Sequence, residues 1–232
     1  MYKGEKSKRG GIEDFLCPFT DMYITCGPNE SSYHMGTMAI DVRGKEPGVR
    51  YPYYAPAKSK CMQVYKESGQ SMWQTVNNVR CSNGYIGKVT YIICHDDTLD
   101  CYPGLIVEQG SQIGNMGTKG NATGVHCHIE CSQSDSVDWV KNAYGNWCFR
   151  EETDPEDVFF MDNTTILNGL GSWKYLSSVP VGEEVDQILH VGSMVKLTGS
   201  YKVKDINVKE NTALITIAGK DYWISSTPLE EV

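Results

Sequence analysis

The chain has 232 residues, enough for one good-sized domain and a small one, and its 14 tyrosines and 23 glycines favour strands and turns over long helices. A formal charge of -8 argues against a general nucleic-acid binder. No stretch is apolar over enough residues to span a membrane, so no membrane insertion is expected. The charge is uneven: residues 191–232 hold five lysines and five acidic residues, so the whole excess lies before them.

The first eleven residues are basic and polar, and no apolar h-region follows. No conventional secretory signal is expected, and synthesis is placed in a cytoplasm. Residues 15–25 alternate apolar and polar and read as a strand. A turn-rich loop over 26–32 leads to His34. Residues 37–42 alternate again, with Met38, Ile40 and Val42 on one face and Thr37, Ala39 and Asp41 on the other. That second face carries one carboxylate among small residues, with room above it.

After a proline- and tyrosine-rich turn at 51–57, short strands are predicted near 61–65, 72–76 and 88–94. His95-Asp96-Asp97 closes the last of these, and Val89, Tyr91, Ile93 and His95 share a face. Segments 105–107 and 111–114 precede a run containing Gly114, Gly117, Gly120 and Gly124, which ends in His126-Cys127-His128-Ile129-Glu130. On a strand, His126 and His128 point into one space with α-carbons about 6.5 Å apart, and Glu130 follows them. Cys127 and Ile129 face a core. Residues 131–148 read as irregular or weakly helical. A short helix is predicted near 154–160, with Asp154 as N-cap and Pro155 at its first position.

From 161 to 190 the pattern weakens and reads as a linker, with His190 taken as a surface residue. From Val191 a new unit of short strands and tight turns begins, with strands at 191–197, 212–218 and 220–224. The expected organisation is a catalytic-type domain over 13–162, a linker over 163–190 and a small β module over 191–232. The nine cysteines include no Cys-x-x-Cys pair, which excludes the usual zinc knuckle. They read as reduced, buried thiols, with one or two disulfides as the alternative.

The five residues His34, Asp41, His95, His126 and His128 form the candidate site. A catalytic zinc takes three protein ligands and leaves a position for water. Imidazole and carboxylate suit it, and His34, Asp41 and His128 make such a set. No His-Glu-x-x-His helix is present. Glu130, on the histidine face, reads as the carboxylate that orients an imidazole.

These anchors, taken in order over about residues 13–160, resemble the lysostaphin-like, or LytM-type, zinc endopeptidases that cut peptidoglycan. The resemblance rests on His34 with Asp41, on His95 ending a strand, and on the glycine-rich approach to His126-x-His128. It implies a mainly β fold, an antiparallel sheet with few short helices. It implies Zn2+ held by His34, Asp41 and His128, with His95 and His126 as catalytic residues beside the metal; which of them is the general base stays open. It also implies bacterial peptidoglycan as substrate; separately, the charge leads to no expected nucleic-acid partner, and a monomer is expected. One departure is clear: the family spacing is His-x-x-x-Asp, whereas Thr37 stands four before Asp41 and His34 stands seven before it. Gly36 is expected to bend the chain and return His34 to the site.

The terminal unit resembles bacterial SH3-like wall-binding modules, on strand spacing and Tyr222-Trp223-Ile224. The expected function is a phage or prophage endolysin, released by a holin or carried on a virion and acting at the cell wall. The alternatives are a non-catalytic wall-binding or virion structural protein with a relic site, and an N-acetylmuramoyl-L-alanine amidase.

Overall fold

The structure is a computed structural model that describes residues 1–168, 203–207, 212–217 and 220–225. The chain divides into a unit over Met1–Leu176 and a unit over Ser177–Val232. The first unit is mainly β. Its strands run β1 Lys8–Arg9, β2 Ile12–Asp14, β3 Asp21–Cys26, β4 Ile40–Arg43, β5 Pro52–Tyr54, β6 Ser59–Tyr65 and β7 Gln70–Thr75. They continue with β8 Val79–Arg80, β9 Ile86–Gly87, β10 Thr90–Cys94, β11 Ile106–Val107, β12 Gln112–Asn115 and β13 Cys127–Ser132. After these come β14 Trp139–Lys141, β15 Trp147–Phe149, the helix α1 Pro155–Val158 and β16 Thr165–Ile166.

The central sheet has the order β11-β6-β7-β10-β13-β4-β3-β16, antiparallel except where β16 joins β3. Its two faces follow from the alternation of side chains along each strand. One face buries Tyr91, Ile93, Trp73, Val42, Ile24, Cys127 and Ile129 in the main core. Phe15 joins them, stacked on Phe159 at 5.4 Å and edge-on to Tyr91 at 5.6 Å. Each such aromatic contributes about 2–3 kcal/mol on burial. The opposite face carries a smaller cluster of Met72, Ile92, Cys94 and Phe149, and beside it Asp41, His128 and Glu130.

Several expectations change. Residues 131–148 are not weakly helical: β13 runs on to Ser132, and β14 and β15 form a hairpin that folds Trp139 and Phe149 over the second face. Trp and Val at strand positions supply the β preference that a search for helix passes over. The strand expected at 37–42 is confined to Ile40–Arg43. Residues 163–168, assigned to a linker, belong to the first unit: β16 pairs with β3, and Asn168 bonds both polar backbone groups of Ile24. The N-terminal segment before residue 13 also packs on this unit, with β1 paired to β2 and Met1 buried. The helix stands as expected, and Asp154 Oδ1 accepts from Glu156 N at 2.9 Å.

In the second unit, β17 Val203–Asn207, β18 Thr212–Ile217 and β19 Lys220–Ser225 form an antiparallel meander. The strand expected at 191–197 and His190 lie outside the described residues.

The turn after β10 is held by Asp96, which is buried. Its carboxylate accepts from Tyr53 Oη at 2.8 Å, Asn115 N at 2.9 Å, Thr98 N at 2.7 Å, Thr98 Oγ1 at 2.8 Å and Leu99 N at 3.2 Å. All five partners are donors, so an amide at this position turns part of the set donor against donor. Asp96→Asn is expected to destabilise the first unit by about 3 kcal/mol, read as a lower urea midpoint at unchanged slope.

Candidate metal centre

Asp41 sits on β4 with His128 directly across from it on β13. Opposite residues in an antiparallel pair share a face, and His128 Nδ1 lies 3.0 Å from Asp41 Oδ1. His34 arrives differently, from a turn before β4. Asn142 clamps that turn by donating from Nδ2 to Met35 O and Gly36 O, both at 3.0 Å. Gly36 has φ +71, and a Cβ there would meet the Tyr144 ring at 2.7 Å and Asn142 Nδ2 at 2.9 Å. The result brings His34 Nε2 to 3.2 Å from the same Asp41 oxygen. Strand parity between positions 34 and 41 therefore does not apply, because 34–39 is not extended strand. Thr37, four before Asp41, is buried and donates to His34 O at 3.1 Å.

His126 precedes β13, bridged to Gly117, with Nε2 3.7 Å from Asp41 Oδ2. His95 departs from the expected alternation. Val89, Tyr91 and Ile93 stay in the core, while a left-handed φ of 74 at His95 turns its ring toward the site. The ring centroid lies 4.4 Å from His126 and 6.1 Å from His128. Gly117 backs this turn: a Cβ there would stand 2.2 Å from His95 O.

Carbonyl oxygens fix three tautomers, since they only accept. Nδ1–H donates from His34 to Gly27 O at 3.0 Å, from His95 to Lys119 O at 2.8 Å and from His126 to Gly124 O at 2.8 Å. When neutral, each ring presents its Nε2 lone pair. His128 faces a carboxylate at both nitrogens, Asp41 at Nδ1 and Glu130 Oε1 at Nε2, 3.0 Å each. As a neutral ligand it keeps its proton on Nε2 for Glu130 and offers Nδ1.

The electrostatics follow. Burial works against charge on His128, but hydrogen bonds and attraction from Asp41 and Glu130 prevail and push its pKa up to about 10. Burial likewise opposes ionisation of Asp41, yet the His128 and His34 contacts hold it well below the usual carboxylate range. Desolvation dominates at His95, lowering its pKa to about 4, so its ring is neutral at neutral pH. Glu152, missed in the sequence, lies behind Glu130. Burial first, then hydrogen bonding to Glu130, pushes it up to about 9. As two carboxylates, Glu130 Oε2 and Glu152 Oε1 would both be buried without a donor. With Glu152 protonated, its proton serves both oxygens.

This donor set fits a zinc ion. Bonds of about 2.0 Å in a tetrahedron put neighbouring donors about 3.3 Å apart. The two contacts at Asp41 Oδ1, 3.0 and 3.2 Å, match that spacing. Glu130 supplies the outer carboxylate that metal-bound imidazoles usually have. A second donor set overlaps the first: Cys26, His34 and Asp41 offer atoms within 4.8 Å of one another. The two sets share His34 and Asp41 and differ in the third donor, His128 at 3.0 Å from Asp41 Oδ1 or the Cys26 sulfur. The site opens into a cleft of about 660 Å³ whose walls include Tyr33, Arg43, Trp139 and Trp147.

The side chains thus gather a candidate metal site on a β-sheet face, with His95 and His126 beside it. No protein-family profile matches the chain. It is similar to "Morphogenesis protein 1" of Bacillus phage B103, 34% identical over 166 residues, covering 71% of this chain and 45% of that protein. The chain therefore spans about half the length of this relative. Similar solved structures include a zinc-containing peptidase from Vibrio cholerae, 21% identical with TM-score 0.35, covering 47% of this chain and 32% of that one. Another is the catalytic domain of lysostaphin from Staphylococcus simulans, 21% identical with TM-score 0.33, covering 47% and 78%. A third is the prophage-encoded M23 protein from Enterococcus faecalis, 15% identical with TM-score 0.34, covering 55% and 88%.

The shifted groups give metal-free protein a pH signature. The raised pKa of His128 stabilises the fold fully below its ordinary 6.5, and that contribution is lost as pH rises through about 10. The lowered pKa of Asp41 stabilises above its ordinary 3.8 and is lost as pH falls. Chelator-treated protein is expected to lose urea resistance from pH 6.5 to 10, and the gap between wild type and His128→Ala is expected to narrow over that range.

Proposed function

We propose that this chain is a zinc-dependent endopeptidase that hydrolyses peptide bonds in bacterial peptidoglycan. The observation that carries the reading is the convergence of His34 Nε2 and His128 Nδ1 on one Asp41 oxygen, with His95 and His126 beside them in an open cleft. In this reading His34, Asp41 and His128 hold Zn2+. The ion supplies an acidified water and a Lewis-acid contact for a scissile carbonyl.

His95 is neutral and presents Nε2, so it is equipped to accept the water's proton; this is the base assignment we favour. His126 stands next to it with Nδ1 tied to Gly124 O, placed to stabilise charge on the carbonyl oxygen and to pass a proton to the leaving amine. Glu130 and Glu152 hold the His128 ring in orientation. Trp139 and Trp147 line the cleft as apolar walls for an extended peptide. The name of the phage relative, a morphogenesis protein, favours a virion-carried wall hydrolase over a freely released endolysin. The second unit is proposed to be an SH3-like module that tethers the enzyme to the wall, where a tether raises local concentration.

Purified protein is expected to clear wall suspensions and to contain one zinc. His128→Ala should lose both properties. His95→Ala and His126→Ala should keep the zinc and lose about 10²–10⁴-fold in rate. Zinc retained with undiminished clearing in either of the latter would remove that histidine from the mechanism. Mass spectrometry of the digested wall is expected to show new termini inside the peptide. New ends at the sugar–peptide junction would identify an amidase, and wall pelleting without cleavage would identify a binding or virion structural protein.

A further inference from the structure

Asp41 has a neighbour on each side. On one it faces His128; on the other, β3 pairs with β4 so that Cys26 lies opposite Asp41. That pairing depends on a register shift between Ile24 and Cys26. Bulges of this kind re-aim a side chain beside a functional site. Without the shift, the regular ladder would not set Cys26 against Asp41.

The thiol lines the cleft, and its sulfur lies within 4.8 Å of ligand atoms on both His34 and Asp41. It makes a long hydrogen bond to Gly27 O at 3.7 Å and a further side-chain contact with Ser31. The other eight cysteines are buried, and Cys26 alone is part-exposed. With a metal–sulfur bond of about 2.3 Å and metal–nitrogen or –oxygen bonds of about 2.0 Å, neighbouring donors stand about 3.5 Å apart.

We propose that Cys26 is a fourth protein donor to the metal held by His34, Asp41 and His128. This rests on the zinc reading above. Cys26, His34 and Asp41 offer ligand atoms all within 4.8 Å of one another, and with His128 they would take all four corners of a zinc site, whereas a catalytic zinc keeps one corner for water. With the sulfur bound, the centre is latent. The thiol proton goes to solvent as the metal–sulfur bond forms. When water or a substrate carbonyl takes that corner, the bond breaks and the thiolate takes a proton back. Cys26 therefore gates access of the reacting groups to the metal.

Cobalt(II) tests this without any turnover. Full-length protein is stripped with a chelator and reloaded with cobalt(II), and its absorption is recorded for wild type and Cys26→Ser. The wild type is expected to show the visible bands of a four-coordinate site and a near-ultraviolet thiolate-to-cobalt charge-transfer band. Cys26→Ser is expected to keep the visible bands and lose the charge-transfer band. Visible bands without charge transfer in the wild type, or charge transfer persisting in Cys26→Ser, would overturn the role of Cys26 and leave the three-ligand centre standing. No cobalt bands in the wild type would overturn the metal centre and this inference with it. If Cys26→Ser does not fold, alkylating Cys26 on folded wild type before loading reads the same difference.

Discussion

One carboxylate oxygen governs the arrangement. Asp41 Oδ1 takes a contact from His34 on one side and from His128 on the other. A negative charge at the sheet surface is costly to desolvate unless cations or a metal meet it. Here a protonated His128 meets it, itself supported by Glu130. The order β13-β4-β3 matters for the same reason, because it places Asp41 between the two strands whose side chains flank it.

The two imidazoles outside the proposed ligand set are fixed by a different device. His95 and His126 are each anchored through Nδ1 to a carbonyl of the glycine-rich segment. That segment is what makes the histidine motif work: its backbone supplies acceptors, while its lack of side chains lets Gly117 lie against the His95 turn. The proposed ligands come from regular strands and a clamped turn. The flanking groups come from backbone contacts that hold their tautomers.

Much of this was legible from residue types and spacing. His126-x-His128 after spaced glycines, with alternation around Asp41, pointed to the candidate site whose side chains the fold brings together. Gly36 marked the bend that returns His34. Other features were hidden for physical reasons. Period-two alternation placed His95 with Ile93, and only its left-handed backbone removes it from that face. Glu152 carries no local signal, since its role depends on lying behind Glu130 across the fold. Cys26 looked like any other packing thiol, because its position depends on a register shift that pairing alone reveals. The hairpin of Trp139 and Trp147 was obscured by polar residues between short strands, and the N-terminal strand and β16 were too brief to show a period.

The contact between Gly117 and the His95 carbonyl has a bearing on how such a protein diversifies. A wall built by one backbone resting on another accepts no new side chain without displacing the imidazole it supports. The facing wall, made by the β14–β15 hairpin, is attached through side-chain packing and ends in the exposed Trp147. Mutational drift is thereby steered to one rim of the cleft. Side chains are free to change there, while the backbone contact behind His95 admits none.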